Sequence, residues 1–199
     1  RTAVTIGNFD GVHRGHRKLI EAVTDYKRQH QGADHMIESA VLTFEPHPIE
    51  VLRAPATIKR LTPAHLKKEL IEHMGVDRVE VLAFNSQLAQ TSAEDFFNKL
   101  IVAKYNPEFI AIGPNFFFGR GKSGTPELLK KWCEAQRIKC EILLPVEADG
   151  DVISSTRIRK LIEAGQLIQA GRLLGRDYSI TGEVVHGNAK GRLLGFPTA

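Results

Sequence analysis

The chain has 199 residues, 42% of them hydrophobic, and a formal net charge of +4. That length supports one full hydrophobic core and a fragment of a second. No window approaches the ~18 consecutive apolar residues of a membrane span, and Arg1 leads into a strand-like run with no signal-peptide pattern.

The expected elements alternate. A β-branched run at 2–7 precedes a helix at 17–30, where Leu19, Ile20, Val23 and Tyr26 recur at helical spacing. A strand at 39–44 follows, then a helix at 62–75 with Thr62 as N-cap, Pro63 in its first turn and Gly75 as its stop. Next come a strand at 78–84, a helix at 92–105 capped by Ser92, a strand at 108–113, a helix at 125–136 and a strand at 139–145. Two short helices, 154–165 and 166–175, close this part. Five strands separated by helices predict an α/β fold, a Rossmann-like parallel sheet with helices on both faces. In such sheets a ligand lies beyond the carboxyl ends of the strands. The segments 8–16, 45–56, 85–91, 114–124 and 146–156 all follow strands, so they can meet in one crevice.

After Gly175 the sequence turns alternating and Gly-rich, as at the start of a truncated β-barrel domain. The expected domains are 1–175 and 176–199, the latter too short for a core of its own. With no Met at its start, the chain is expected to begin inside a longer one. Residues 153–199 hold 7 basic against 3 acidic side chains and carry the whole net charge, which favours anionic partners or an ordinary basic surface. Cys133 and Cys140 have no metal-ligating companions nearby. We read them as packing residues of a reducing, cytoplasmic protein.

The chemistry starts at "TIGNFDGVHRGH", residues 5–16. Gly7, Gly11 and Gly15 let backbone approach a ligand and feed N–H groups into a helix N-terminus, which favours bound phosphate. His13 and His16 share one turn and can donate hydrogen bonds to phosphate oxygens. Asp10 beside them can orient a hydroxyl or help hold a metal. A zinc site and two surface histidines are the alternatives, and no Cys or acidic partner stands at usual zinc spacing.

"GNFDGVHRGH" resembles the signature of the HxGH nucleotidylyltransferase superfamily, and "VISSTRIR" (152–159) resembles its second signature. "TFEPHP" (43–48), "GPNFFFGRGKSG" (113–124) and "GRLLGFPTA" (191–199) narrow the resemblance to the bacterial bifunctional riboflavin kinase/FMN adenylyltransferase family, the FAD synthetases. That resemblance implies transfer of AMP from ATP to FMN, giving FAD and pyrophosphate, with Mg²⁺ accompanying ATP and no metal held by the protein alone. The alternative is another adenylyl- or cytidylyltransferase with a non-flavin acceptor. A binding module without turnover and a nucleic-acid binder are further rivals, but no nucleic-acid motif is present and no membrane partner is expected.

By resemblance, His13, His16, Asn115 and Arg159 are the catalytic candidates. Gly7, Asn8, Phe9, Asp10, Gly11, Gly15, Ser154, Ser155, Thr156 and Arg157 are the ATP and phosphate candidates. Arg157 stands at the variable position of its motif. Flavin is expected at Phe44, His47, Pro48, Phe84, Phe116 and Phe118, with Asn85 a weaker candidate. "TFEPHP" is expected to be loop, because its prolines cannot continue a strand. Gly195, Pro197 and Thr198 match the kinase family's ATP–Mg²⁺ loop. The motif's following Asn and catalytic Glu are missing, so this chain is expected not to phosphorylate riboflavin.

Overall fold

Five parallel strands form the centre of the computed structural model, which describes residues 1–53, 55 and 58–183. They are β1 (Thr2–Ile6), β2 (Glu38–Glu45), β3 (Arg78–Ala83), β4 (Pro107–Ile112) and β5 (Lys139–Ile142), ordered β3-β2-β1-β4-β5. The apolar content of each strand follows its place. β1 is buried along its whole length, as a strand covered on both faces must be, whereas edge strand β3 leaves Val81 exposed. In register, Thr2 pairs Glu38 and Ile6 pairs Leu42 on one side of β1, while Ala3 pairs Phe109 on the other.

Side chains of β1 alternate between two apolar layers. Val4 and Ile6 join Leu42, Ile110 and Ile112 against Phe97, Ile101 and Leu129. Ala3 faces the opposite layer with Val23, Phe109 and Ala111. On this second face lie α1 (Arg14–His30) and α3 (Ala64–Glu72), which bury Ile20 and Ile71 together. The short α2 (Pro48–Leu52) and α4 (Ser86–Gln90) follow β2 and β3. The first face is covered by α5 (Ala93–Asp95), a π-helical stretch Phe96–Val102, α6 (Ala103–Tyr105) and α7 (Pro126–Ala135). α8 (Ser155–Glu163) and α9 (Leu167–Leu174) pack their own cluster, in which Ile158 and Leu174 meet Leu61 and Ile153.

The five expected strands and the alternating helices are present, with bounds shifted by a few residues, and several details differ from expectation. Thr62 does not cap α3: Pro63 holds that position, because the Thr62 hydroxyl accepts the Gly11 N–H at 3.1 Å. "TFEPHP" is only partly loop. β2 runs through Glu45, and Pro48 starts α2, with His47 as N-cap accepting the Ile49 N–H through Nδ1 at 3.3 Å. A hairpin, β6 (Glu147–Ala148) with β7 (Asp151–Val152), was not expected. It turns at Asp149 and Gly150, both with positive φ.

Residues 177–183 form no strand, and 184–199, where most of the expected β-barrel start and the Gly195, Pro197 and Thr198 motif fall, lie outside the described residues. Among the described residues, no helix is long and apolar enough to cross a membrane.

Candidate functional site

Strand order reverses between β1 and β4, so the loops leaving these strands diverge to opposite sides and open a crevice. A cavity of about 820 Å³ lies there. Its walls come from the loop after β1, the ends of β2 and β3, the loop after β4, residues 143–146 and the start of α8.

The loop after β1 is tightly wound. Phe9 and Val12 have φ of 50° and 41°, and Gly11 of 87°, so two side-chain-bearing residues take a conformation that normally suits glycine. Such strain persists only where the surroundings hold it. Here Phe9 and Val12 are anchored in the core with Ile20 and Ile71. His13 caps α1, its Nδ1 accepting the His16 N–H at 3.3 Å. An accepting Nδ1 places the proton of a neutral imidazole on Nε2, leaving that edge as a donor. Burial pushes the His13 pKa from 6.5 to about 4, overriding the opposing pull of Asp10. His16 stacks on His13, ring centroids 3.5 Å apart, with the Phe9 ring edge-on behind it. Burial, with His13 and Lys67 adding to it, holds His16 well below its ordinary value, so both imidazoles are neutral donors at pH 7. The buried Nδ1 of His16 has no partner among the described residues. Gly15 allows this arrangement, since a Cβ there would lie 3.1 Å from the His13 ring.

Asp10 joins this loop to the far end of the chain. Its Oδ1 accepts from the Leu61 N–H at 2.9 Å and the Thr62 N–H at 3.2 Å, and its Oδ2 pairs with Arg159 Nη2. Its carbonyl accepts the Ser155 hydroxyl at 2.8 Å. Arg159 Nε also donates to the Lys59 carbonyl at 2.8 Å. The two signatures, 145 residues apart for Asp10 and Ser155, therefore meet in one wall. Ser154 caps α8, so its N-terminus opens on the cavity through Ser154, Ser155 and Thr156.

Of the sequence-predicted residues, His13, His16, Asn115 and Arg159 line the cavity, as do Gly7, Asn8, Phe9, Asp10, Gly15 and Ser154–Thr156. So do Phe44, His47, Pro48, Phe84, Phe116 and Phe118. Burial lowers the His47 pKa, with Asp10 pulling it back up. Gly11 lies behind the wall, against Leu61. Arg157 is turned away: its Nη1 donates to the carbonyls of Ala148 and Asp151 at 2.8 and 2.9 Å, bracing the hairpin. It is not among the lining residues, because on α8 it sits two positions, roughly 200° of turn, from Arg159.

Sequence reasoning did not single out Phe117, which lines the cavity beside Phe116 and Phe118. Phe118 is only 6% exposed and stacks with Phe116, whereas Phe117 is 46% exposed and lines the cavity. Phe118 pairs with Gly124 in a β-bridge, and extended backbone puts Phe116 and Phe118 on one side and Phe117 on the other. Ile49, Leu52 and Leu144 are also exposed lining residues without a sequence motif to mark them.

The family model described as FAD synthetase matches residues 1–157. The chain belongs to the FAD synthetase family. A riboflavin kinase model matches residues 174–199. The chain is 40% identical over 199 residues to a bifunctional riboflavin kinase/FMN adenylyltransferase of Buchnera aphidicola subsp. Schizaphis graminum, covering 100% of this chain and 62% of that protein. It is 36% identical over 196 residues to the Escherichia coli K12 protein of the same description, covering 98% and 61%. A crystal structure described as a macrolide-efflux protein from Streptococcus pneumoniae superposes with a TM-score of 0.84 at 34% identity, covering 98% of this chain and 62% of that one. The chain thus spans about three fifths of the curated FAD synthetase relatives it matches.

Proposed function

We propose that residues 1–175 are an FMN adenylyltransferase domain and that 176–199 begin a riboflavin kinase β domain. The domain transfers AMP from ATP to FMN: an oxygen of the FMN phosphate attacks the α-phosphorus in line, the Pα–O–Pβ bond breaks, and pyrophosphate leaves. No covalent enzyme intermediate is needed, so the protein contributes alignment and charge stabilisation. One observation carries this reading: both signatures face a single cavity, tied through Asp10 to Ser155 and Arg159, and aromatic side chains line the same cavity.

In this reading neutral His13 and His16 donate through their ring N–H groups to the phosphate oxygens where charge develops. Ser154 and Thr156 offer hydroxyls, and Ser155 and Thr156 offer backbone N–H groups, at the positive end of α8, while the Ser155 hydroxyl stays on the Asp10 carbonyl; Arg159 offers its remaining N–H groups to the pyrophosphate. Asn115 hydrogen-bonds a phosphate or ribose. Phe44, Phe84, Phe116 and Phe118 build the flavin wall, and Phe117 stacks on the ring. Mg²⁺ arrives with ATP as part of the substrate. Asp10 is the sole acidic side chain among the described lining residues, and both of its oxygens are engaged. The phosphates and water therefore hold the ion, as suits magnesium. The reducing, cytoplasmic setting read from the cysteines fits this chemistry.

Incubation with ATP, Mg²⁺ and FMN yields FAD and pyrophosphate, followed by chromatography. Pyrophosphate release with another acceptor, and none with FMN, refutes the flavin assignment.

A further inference from the structure

One charged side chain under the cavity has no part in this mechanism. Lys67, on α3, has a side chain only 7% exposed, a rare position for lysine unless every donor is satisfied. Its ammonium has three N–H donors and faces three acceptors. These are the Asn8 carbonyl at 3.3 Å, the Phe44 carbonyl at 3.2 Å and Glu45 Oε2 at 3.7 Å. Asn8 lies in the loop that leads to His13 and His16. Phe44 and Glu45 end β2 and lead to His47. The Asn8 carbonyl also receives the Thr43 hydroxyl at 3.0 Å, so its peptide plane is held by two donors just before Phe9 enters its left-handed conformation.

We propose that Lys67 is a positioning residue of the transfer reaction, tying the phosphate-binding loop after β1 to the flavin-side end of β2 and so setting how the two substrates face each other. This rests on the function proposed above. In an in-line displacement between two bound substrates, an error of about 1 Å in mutual placement costs up to ~10²-fold in rate while leaving each substrate's own contacts intact. Lys67 acts at that junction and does not reach the substrates itself.

Its charge has a second effect. The groups around it are Glu45 from β2, Asp10 from the loop, Arg60 from the segment before α3, and His16 and His47. Burial lowers the Lys67 pKa against the pull of Glu45 and Asp10, and the ammonium in turn disfavours a proton on His16.

The test is Lys67→Met, which keeps the stem volume and removes the charge. The Glu45 carboxylate keeps Arg60 as partner, and the Asn8 carbonyl keeps Thr43. Circular dichroism checks the fold, calorimetry gives the separate affinities for ATP and FMN, and FAD formation gives kcat. The expected result is a kcat lowered ~10- to 100-fold with both dissociation constants within ~3-fold of wild type. The acid limb of the kcat–pH profile also moves to higher pH, because His16 loses a repelling neighbour. Lys67→Arg keeps the charge but offers a planar fork to three acceptors. It should return the pH limb to its wild-type position while recovering kcat only in part. If Lys67→Met does not fold, Lys67→Arg is judged by the same split of kcat against affinity.

A kcat within threefold of wild type overturns the proposal. So does parallel loss of both affinities and turnover, which marks a merely structural lysine. Failure of the unaltered chain to make FAD sinks the underlying function, and this proposal with it. FAD formation by the wild type alongside an indifferent Lys67→Met sinks the Lys67 role alone.

Discussion

Replacing Asp10 by Asn tests whether the two signatures are held together by charge. The amide oxygen can still accept from the Leu61 and Thr62 N–H groups, now 2.9 and 3.2 Å from Oδ1. The amide nitrogen then faces Arg159 Nη2, donor against donor, where a carboxylate oxygen stood. Both partners are shielded, with side-chain exposures of 17% for Arg159 and 7% for Asp10, so solvent compensates little. Removing one member of a buried pair costs about 3 to 5 kcal/mol, because the other charge is left unpaired. For a chain of 150–250 residues each kcal/mol is worth about 2 to 4 °C, so the expected fall in Tm is about 6 to 20 °C. Differential scanning fluorimetry measures it directly. Arg159 is held by this carboxylate, so ATP should also stabilise the variant less than the wild type, while the Ser155 hydroxyl keeps the backbone carbonyl of residue 10. A Tm within about 2 °C of wild type, with the ATP-induced shift intact, would refute the view that Asp10 locks the two ends of the site together.

In the proposed mechanism, His16→Ala removes a donor from the developing charge. The expected kcat falls ~10²- to 10³-fold, with ATP and FMN dissociation constants nearly unchanged by calorimetry. Stability also depends on the buried imidazoles. Unfolded His13 takes a proton near 6.5 and the folded residue only near about 4. Its contribution is therefore complete above 6.5 and is lost as pH falls towards 4, by about 3 kcal/mol in total, and His16 acts with the same sign. Urea unfolding at pH 7 and 4.5 checks this. His13→Asn keeps a capping side chain and should flatten the slope, and an unaltered slope contradicts the assignment. Phe117→Ala should weaken FMN about tenfold, leaving ATP affinity and Tm nearly unchanged, because the residue is 46% exposed and outside the buried core.

The fold was legible where periodicity and burial agree. β1 and β2 are buried along nearly their whole length because they lie in the middle of the sheet, and their β-branched and apolar residues made them readable, with the special loops found because each follows a strand. What escaped depended on tertiary partners. Thr62 carries the local features of an N-cap, yet a loop 51 residues away claims its hydroxyl. Phe116, Phe117 and Phe118 cannot be ranked without knowing which face the bridge to Gly124 turns inward. Arg157 and Arg159 differ only by their angle on α8. Two signals were present and unread. Asp149-Gly150 is a strong two-residue hairpin turn. Lys67 stands one turn before Ile71 on the buried face of α3, and that spacing was the signal for a buried lysine.

The placement of the site also constrains how it forms. The histidine turn and the α8 cap are separated by almost the whole domain in sequence, and their shared wall runs through Asp10 to Leu61, Thr62, Ser155 and Arg159. The strained conformations at Phe9 and Val12 depend on the layer beneath them, where Ile20 and Ile71 pack from α1 and α3. The wall that joins the two signatures therefore exists only in the complete fold. A ligand that grips both halves must favour the complete fold over any partly open form, raising stability by its differential affinity. ATP should accordingly protect the amides of residues 9–13 and 154–159 together in hydrogen exchange, as one unit. Protection confined to the histidine loop would mean that the nucleotide is held from one side only, and the two-sided grip would have to be abandoned.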